Sequence, residues 1–426
     1  MVHSFVILSW SNMCSIVMGM QLRYNFRLKP TPGQRVALAR AFGCARVVFN
    51  DGLRAREQAH HAGLPYLSDT DVMRQVVTEA KKTNERAWLA EVSAVVLQQA
   101  VADLNTAYRN FFASVTGKRK GRQVGRPEFR SRKDHRQSIR FTRNARFRVL
   151  DSGKLRLPKI GDVHVRWSRD LPGEPSSVTV IQDAAGRYSA SFVVDTKLDV
   201  LPEIDIDTGI DLGLTCFATF PDGRTIDAPR FLRRAERKLK RAQQNLSRKQ
   251  KGSKNRAKAR IAVARRHARV TDTRRDWHHK ESTKVIRDSQ AVYVEDLAVS
   301  GLARGRLAKS VYDAGWSAFV RMLEYKAIKH GRLFLRIGRF EPTTRTCSRC
   351  GWYGPKLDLS IRTFRCRQCG LVLDRDVNAA RNILAAGRKL AAEMRREAES
   401  LNACGDQVRP SSRAQVDEAG STPHAA

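Results

Sequence analysis

Four cysteines and three acids are the residues of this chain whose types and spacing can do chemistry. The cysteines form two Cys-x-x-Cys pairs, Cys347/Cys350 and Cys366/Cys369, with fifteen residues between them. Each pair fits a tight turn and the intervening segment returns the second turn to the first, so four thiolates at this spacing can close a tetrahedral Zn²⁺ site. A closed Cys₄ site has no open coordination position, and the zinc expected here is structural. The acids are Asp211, inside the apolar stretch GIDLGL; Glu295, at the end of the apolar run AVYVEDL; and Asp376, in DRDVNAARNIL directly behind the second cysteine pair. Clustered carboxylates repel one another and stay ionised at neutral pH only with cations among them, so a converging set would hold Mg²⁺ or Mn²⁺. Two such ions ~3.5–4 Å apart can activate a water and stabilise a leaving 3′ oxygen in phosphodiester hydrolysis. Each acid also has a plain structural role open to it. Asp374 or Asp376 can cap a helix, and strand alternation sends Glu295 and Asp296 to opposite faces, so that one of the two enters a site.

Those side chains sit in a chain of 426 residues, 42% hydrophobic, which is long enough for two or three domains with real cores. Its charge is less ordinary: 79 Lys and Arg against 42 Asp and Glu leave +37. An excess of that size repels itself unless a polyanion screens it, which points to a nucleic-acid partner. Outside the paired motif Cys14, Cys44, Cys216 and Cys404 are scattered, a usage that suits a reducing cytoplasm. Residues 1–19 are apolar but lack a basic start and a clean cleavage site, and are read as an over-long leader with Met20 as the true initiator; no other stretch could span a membrane.

The elements that must position the site follow from the hydrophobic pattern. Leu22, Tyr24, Phe26 and Leu28 alternate as a half-buried strand, and Thr31-Pro32 then marks a helix start. Helical pattern runs to about Val115, with Leu97, Val101, Leu104, Tyr108, Phe111 and Val115 as a packing seam whose aromatics are assigned to core. Residues 117–133 carry eight basic side chains and one acid among glycines and a proline, as either a solvated linker or a loop that orders on nucleic acid. Alternation over Phe141–Val149, Val163–Trp167 and Tyr188–Val194 predicts five or so strands in a small barrel, completed by the N-terminal strand across the helical insertion. GIDLGLTCFATFPDGRTI reads as a buried strand, a Pro-Asp-Gly turn and a second strand. From Arg230 to Arg287, 22 Lys and Arg face four acids, a net +18, in two helices joined at KGSKN; a phosphate-tracking surface is expected there. A strand ending at Glu295, a helix from about Gly315 to His330 and a strand Leu333–Ile337 lead into the cysteine module. In a ribonuclease-H-like fold, a first strand with its hairpin, a later parallel strand and a terminal helix bring three such acids to one point.

The motifs GIDLGL, VEDL, PTTRTCSRCG, FRCRQCG and DRDVNAARNIL, in this order, resemble the OrfB/TnpB family of insertion-sequence nucleases, compact relatives of type V CRISPR effectors. The resemblance extends upstream to YNFRLKPTPGQ, FGCARVVFNDGL and LPKIGDVHVRW, and covers nearly everything from Met20 to about Leu384. It implies a multidomain α/β protein: a wedge-like β-barrel (20–30 and 134–202) interrupted by a helical recognition domain (31–133), then a RuvC-like, ribonuclease-H-like nuclease domain (203–340 and 374–400) that includes the basic hairpin 229–288. A zinc-ribbon insertion occupies 341–373, and a disordered tail 401–426. By motif position the resemblance makes Asp211, Glu295 and Asp376 the catalytic, Mg²⁺-binding triad and Cys347, Cys350, Cys366 and Cys369 the zinc ligands. The implied activity is that of an RNA-guided DNA endonuclease encoded by a transposable element. Its implied partners are a guide RNA from the transposon end and double-stranded DNA with a short flanking motif, in a prokaryotic cytoplasm at the nucleoid. The apolar leader and the Thr343-Thr344-Arg345 variation depart from the family pattern. Two other readings stay open: a transposase that cuts and rejoins strands with the same acids, and a non-catalytic nucleic-acid-binding regulator.

Overall fold

The computed structural model describes residues 20–134, 136–358 and 360–403. It divides into two compact units that meet in sequence at Thr196/Lys197.

The first unit begins with β1 (Met20–Lys29), whose Leu22, Phe26 and Leu28 are buried on one face, with Tyr24 between them only partly buried. Thr31 then caps α1 (Pro32–His61) reciprocally: its hydroxyl accepts from the Gln34 amide at 3.3 Å, and Gln34 Oε1 accepts from the Thr31 amide at 3.0 Å. After α2 (Asp69–Met73) and irregular turns, α3 (Ala94–Val115) buries Leu97, Val101 and Leu104. Strands β2 (Gln137–Thr142), β3 (Arg148–Val149), β4 (Lys154–Leu157), β5 (Gly161–Arg166), β6 (Pro175–Gln182) and β7 (Tyr188–Thr196) join β1 in one sheet of order β2-β6-β7-β1-β5-β4-β3. With β1 between β7 and β5, the helices are an insertion between strands of a single sheet, as the alternation predicts.

Three expectations for this unit change. The barrel is not closed: β2 and β3 are the outer strands, and no pairing between them occurs among the described residues. The stretch Phe141–Val149 is not one strand, because Arg143–Ala145 form a 3₁₀ turn and Arg146 takes a left-handed φ of 56°. Phe141, Ala145 and Phe147 still reach the core, so the burial period survives where the strand does not. Finally, the helical seam leaves the interior after Leu104. Tyr108 and Phe111 are half-buried and Val115 is 61% exposed. Tyr66, Tyr108 and Phe112 instead gather around Arg56, whose guanidinium lies 4.6 Å from the Tyr66 ring and 5.0 Å from the Tyr108 ring. That buried guanidinium pairs with Asp69 at 2.8 Å, and aromatic faces satisfy its charge better than an apolar core would. The basic loop 117–133 contains no helix or strand, and its end is docked by Asn50, which exchanges hydrogen bonds of 2.8 and 3.0 Å with the Arg130 backbone.

The second unit holds β8 (Asp207–Leu212), β9 (Cys216–Thr219) and β10 (Thr225–Asp227), then the basic hairpin α4 (Phe231–Ser247) and α5 (Lys254–Arg287), with Ser253 capping α5. Next come β11 (Ala291–Glu295), the short α6 (Val299–Leu302) and α7 (Ala308–Ala314), α8 (Trp316–Lys329) and β12 (Leu333–Ile337). Strands β13 (Thr363–Arg365) and β14 (Val372–Asp374) belong to the cysteine module, and α9 (Arg375–Ala403) closes the described chain. The five-stranded sheet has the order β10-β9-β8-β11-β12; β9 and β10 are antiparallel additions, while β8, β11 and β12 run parallel.

Strand alternation sorts the sheet's two faces. Ile210, Phe217, Val292 and Val294 pack under α5 and α8, whereas Ala291, Tyr293, Leu335 and Ile337 pack under α9. Helix α9 approaches without clearance. A Cβ built on Gly209 would lie 2.4 Å from the Ala380 carbonyl and 2.5 Å from the Leu384 amide, and one on Gly387 would lie 2.2 Å from the Tyr293 ring. Gly209 and Tyr293 are direct partners across β8 and β11, so the helix crosses the sheet on that rung. Helix α9 runs to Ala403, past the expected start of the tail at 401; the leader 1–19 and residues 404–426 lie outside the described residues. Among the described residues no helix is long and apolar enough to cross a membrane.

Two outcomes follow from this packing. Gly209→Ala should destabilise the second unit by about 1–3 kcal/mol through overpacking against backbone that cannot yield, read as a lowered melting temperature. Burial on the α5 side, with Arg274 nearby, pushes His278 down to about 4 against its ordinary 6.5, while its ring nitrogen bonds the Ala314 carbonyl at 2.9 Å. The unfolded chain therefore binds a proton that the folded chain resists. His278 contributes its stability in full above pH 6.5 and loses it as pH falls toward 4. Urea unfolding at pH 7 and pH 4.5 should show a smaller drop in His278→Gln than in the unsubstituted protein.

Candidate active site

The three acids of the sequence come together on the α9 face of the parallel strands. The β8–β11 ladder ends at Ile210 opposite Val294, so Asp211 and Glu295 are the next residues on adjacent strands and project to the same face as Gly209 and Tyr293. Asp376 stands in the first turn of α9, one turn before the Ala380 carbonyl that rests on Gly209. Asp374 takes the capping role, since its Oδ1 accepts from the amides of Asp376 (2.8 Å) and Val377 (3.1 Å). Asp376 is thereby left free of capping. Asp296 points away, as alternation requires, and its carboxylate pairs with Arg339 at 2.6 Å.

The electrostatics register this convergence. Burial, then the charges of Glu295 and Asp376, push the Asp211 carboxyl up to about 8, with Arg375 opposing. Glu295 is raised by burial, and the hydrogen bond it accepts from the Thr343 hydroxyl works the other way. Asp376 is raised by burial and by Asp374, with Arg362 and Arg375 opposing; the Arg362 guanidinium is 3.6 Å from its carboxylate. Among the described residues, the four cysteines are the group that already converges tightly enough to grip an ion. Burial and the two neighbouring acids raise the proton affinity of Asp211, which a cation among the three would offset, and such oxygen donors suit a divalent ion.

The cysteine module is built from two matching turns. In the first, the Gly351 amide donates to the Cys347 carbonyl at 3.0 Å; in the second, the Gly370 amide donates to the Cys366 carbonyl at 3.2 Å. Both glycines adopt the left-handed region, φ 76° and 72°, which glycine enters at no steric cost. The Sγ atoms of Cys347 and Cys369, and of Cys350 and Cys366, are 3.6 Å apart, and all four lie within 4.8 Å of one another. Tetrahedral thiolates at ~2.3 Å from a metal stand ~3.8 Å apart, whereas disulfide sulfurs would be bonded at ~2.05 Å, so the four cysteines fit a metal and not two disulfides.

Several supporting residues escaped the sequence. Asn378, fully buried, accepts from the Ser348 amide (3.0 Å) and donates to the Thr346 carbonyl (2.8 Å), and Asn382 donates to the carbonyls of Thr343 (2.7 Å) and Thr346 (2.6 Å). These two asparagines fasten the first cysteine turn to α9. Their signal was available: two amides four residues apart on one helix face, next to Val377, Ala379 and Ile383, call for nearby hydrogen-bond partners. Thr343 and Arg362 gave no such signal.

Comparison with known proteins agrees with this architecture. A 42% identical protein of Streptomyces pristinaespiralis, named "Putative RNA-guided DNA endonuclease", aligns over 91% of this chain and 92% of its own length. The chain belongs to the OrfB/TnpB family. A second member, named "Putative RNA-guided DNA endonuclease InsQ", from Escherichia coli (strain K12), is 31% identical over 87% of this chain and 93% of its own. Family profiles match residues 193–306 (OrfB_IS605, "Probable transposase"), 316–383 ("Cas12f1-like, TNB domain") and 18–64 ("Helix-turn-helix domain"). The described part of that last range is a strand followed by one long helix. A cryo-EM structure of a Cas12f1–sgRNA–target DNA complex shares the fold, with a TM-score of 0.51 at 14% identity over 82% of each chain.

Because Asp376 follows the second cysteine turn by only seven residues, losing the module's metal should reach the acids. Chelation, or Cys347→Ser, is expected to lower the melting temperature of this OrfB/TnpB protein and to raise amide hydrogen exchange in the first turns of α9. Exchange confined to 341–373 would count against that coupling.

Proposed function

We propose that this chain is an RNA-guided DNA endonuclease of a transposable element, and that Asp211, Glu295 and Asp376 hold the divalent cations with which it hydrolyses phosphodiester bonds. One observation carries the reading: acids on neighbouring parallel strands stand at the same level, under a helix whose first turn supplies the third. The order β10-β9-β8-β11-β12, with its antiparallel hairpin and parallel partners, supports a ribonuclease-H-like, RuvC-like core for 203–340 and 374–400. The sheet and helices of the first unit correspond on this reading to the wedge and helical recognition domains. Zinc is the metal we assign to the four cysteines, as a zinc ribbon over 341–373.

When bound, Mg²⁺ or Mn²⁺ would activate the attacking water and offset charge on the leaving 3′ oxygen. The chain's own residues arrange the rest. Asp211 and Glu295 present oxygens from rigid strand ends, where position does not depend on a loop. Asp376 closes the third side, held at its level by the contact of α9 with Gly209. Asp296, turned outward to Arg339, fixes the turn after Glu295 without entering the site. The sign of the charge agrees with a guide RNA and a DNA target as partners. On 230–287 a net +18 lies along two long helices, suited to duplex backbone, while base pairing would supply sequence choice.

Purified protein with matched guide and target should cut the target in Mg²⁺. Asp211→Ala should reduce cutting by about 10³-fold or more while leaving the melting temperature within a few degrees, the scale of removing a member of a catalytic constellation. Cleavage persisting at the unsubstituted rate in Asp211→Ala would overturn the assignment, and strand-transfer products without guide would favour a transposase.

A further inference from the structure

Thr343 lies in the segment linking β12 to the first cysteine turn, where the sequence departs from the family pattern, and it is 5% exposed. Its hydroxyl donates to Glu295 Oε1. Its carbonyl accepts from Asn382 on α9, and three residues on, the Thr346 carbonyl accepts from both Asn382 and Asn378. Asn378 also accepts from the Ser348 amide, next to the metal-ligating Cys347. An unbroken hydrogen-bonded path therefore runs from the cysteine turn, through two side-chain amides of α9, to one oxygen of Glu295. We propose that Thr343 is a positioning residue for Glu295, and that through it the four-cysteine module sets the orientation of an acid belonging to the other metal site.

The physical argument has three parts. Glu295 is the last residue of β11, so its backbone is fixed by the ladder while its side chain keeps three rotatable bonds. A single donor on Oε1 selects one rotamer and leaves Oε2 for a cation, which is what an outer hydrogen bond does to a ligating carboxylate. The donor is itself immobile. Thr343 has a β-branched side chain, its backbone is tied to α9 at 2.7 Å, and α9 is seated on the sheet at Gly209. A free hydroxyl on a loop would give no such selection, because it would move with the carboxylate.

This inference rests on the metal-binding role given to Glu295 above, and the experiment separates the two. Thr343→Val keeps the shape and removes the donor; Thr343→Ser keeps the donor and removes a methyl. Mn²⁺ binding to the protein without nucleic acid, followed by electron paramagnetic resonance, and the Mg²⁺ concentration for half-maximal cleavage are measured on both. Thr343→Val is expected to weaken Mn²⁺ binding and raise the Mg²⁺ requirement by about 10–100-fold, with much of the maximal rate regained at saturating Mg²⁺, whereas Thr343→Ser stays within about threefold of the unsubstituted protein. Zinc content and melting temperature are recorded alongside. Unchanged Mn²⁺ and Mg²⁺ dependence in Thr343→Val would overturn the proposal, and so would a shift in Thr343→Ser equal to that in Thr343→Val, since that would mark a packing role. If Thr343→Val loses zinc or stability, Thr343→Ala, which also removes the donor, takes its place under the same two criteria. Asp211→Ala tests the metal-site reading independently: its inactivity together with an indifferent Thr343→Val would sink only the coupling.

Discussion

The second unit depends on one close approach, that of α9 to the sheet on the Gly209–Tyr293 rung. Neither Gly209 nor Gly387 leaves room for a methyl group, so helix and strand backbones meet at a separation that no other residue permits. The contact is steric rather than adhesive, and it fixes the height of the helix and, one turn earlier, that of Asp376. The convergence of the three acids is therefore a consequence of packing density. Burial of the carboxylates and then their repulsion oppose it, and together they push Asp211 up to about 8.

The cysteine module gains a second meaning in this setting. It follows β12 and precedes α9 directly, and it reaches the acids by two side chains, Thr343 on Glu295 and Arg362 on Asp376. Arg362 also donates to Thr215 in the β8–β9 connection at 3.2 Å, so one guanidinium ties the module to the hairpin and the helix together. Four thiolates that close on a metal convert a segment with little core of its own into a rigid brace. Buried apolar groups in the module amount to little more than Phe364 and the cysteines themselves, so a metal held by the four cysteines would supply order that the module's own core does not.

The first unit solves a different problem. Its sheet buries one alternating face against inserted helices and holds a strongly basic loop by the two hydrogen bonds of Asn50. Around Arg56, Tyr108 of the expected seam stays half-buried beside Tyr66, and both present ring faces to the buried guanidinium.

Much of this was legible in the chain. The alternation of 22–28, the Thr31-Pro32 helix start, the basic hairpin, the strand Leu333–Ile337 and the spacing of the four cysteines are local or periodic signals, and periodicity survives folding because each side chain's face is set by its own backbone. The sequence also marked Asp211, Glu295 and Asp376 as acids in apolar surroundings. Three things were decided only in space. The strand read through Phe141–Val149 broke at Arg146, because a tight turn can bury the same residues as a strand. The sheet stayed open rather than closing, since closure depends on pairing between strands far apart in the chain. The hold of Thr343, Asn378 and Asn382 on the site joins residues as much as 48 positions apart, and a hydrogen bond of that kind leaves no period to read. What the sequence by itself determined was which residue types and spacings could carry chemistry; the tertiary structure alone decided what holds them, because orientation is set by contacts between segments that only the packed core brings together.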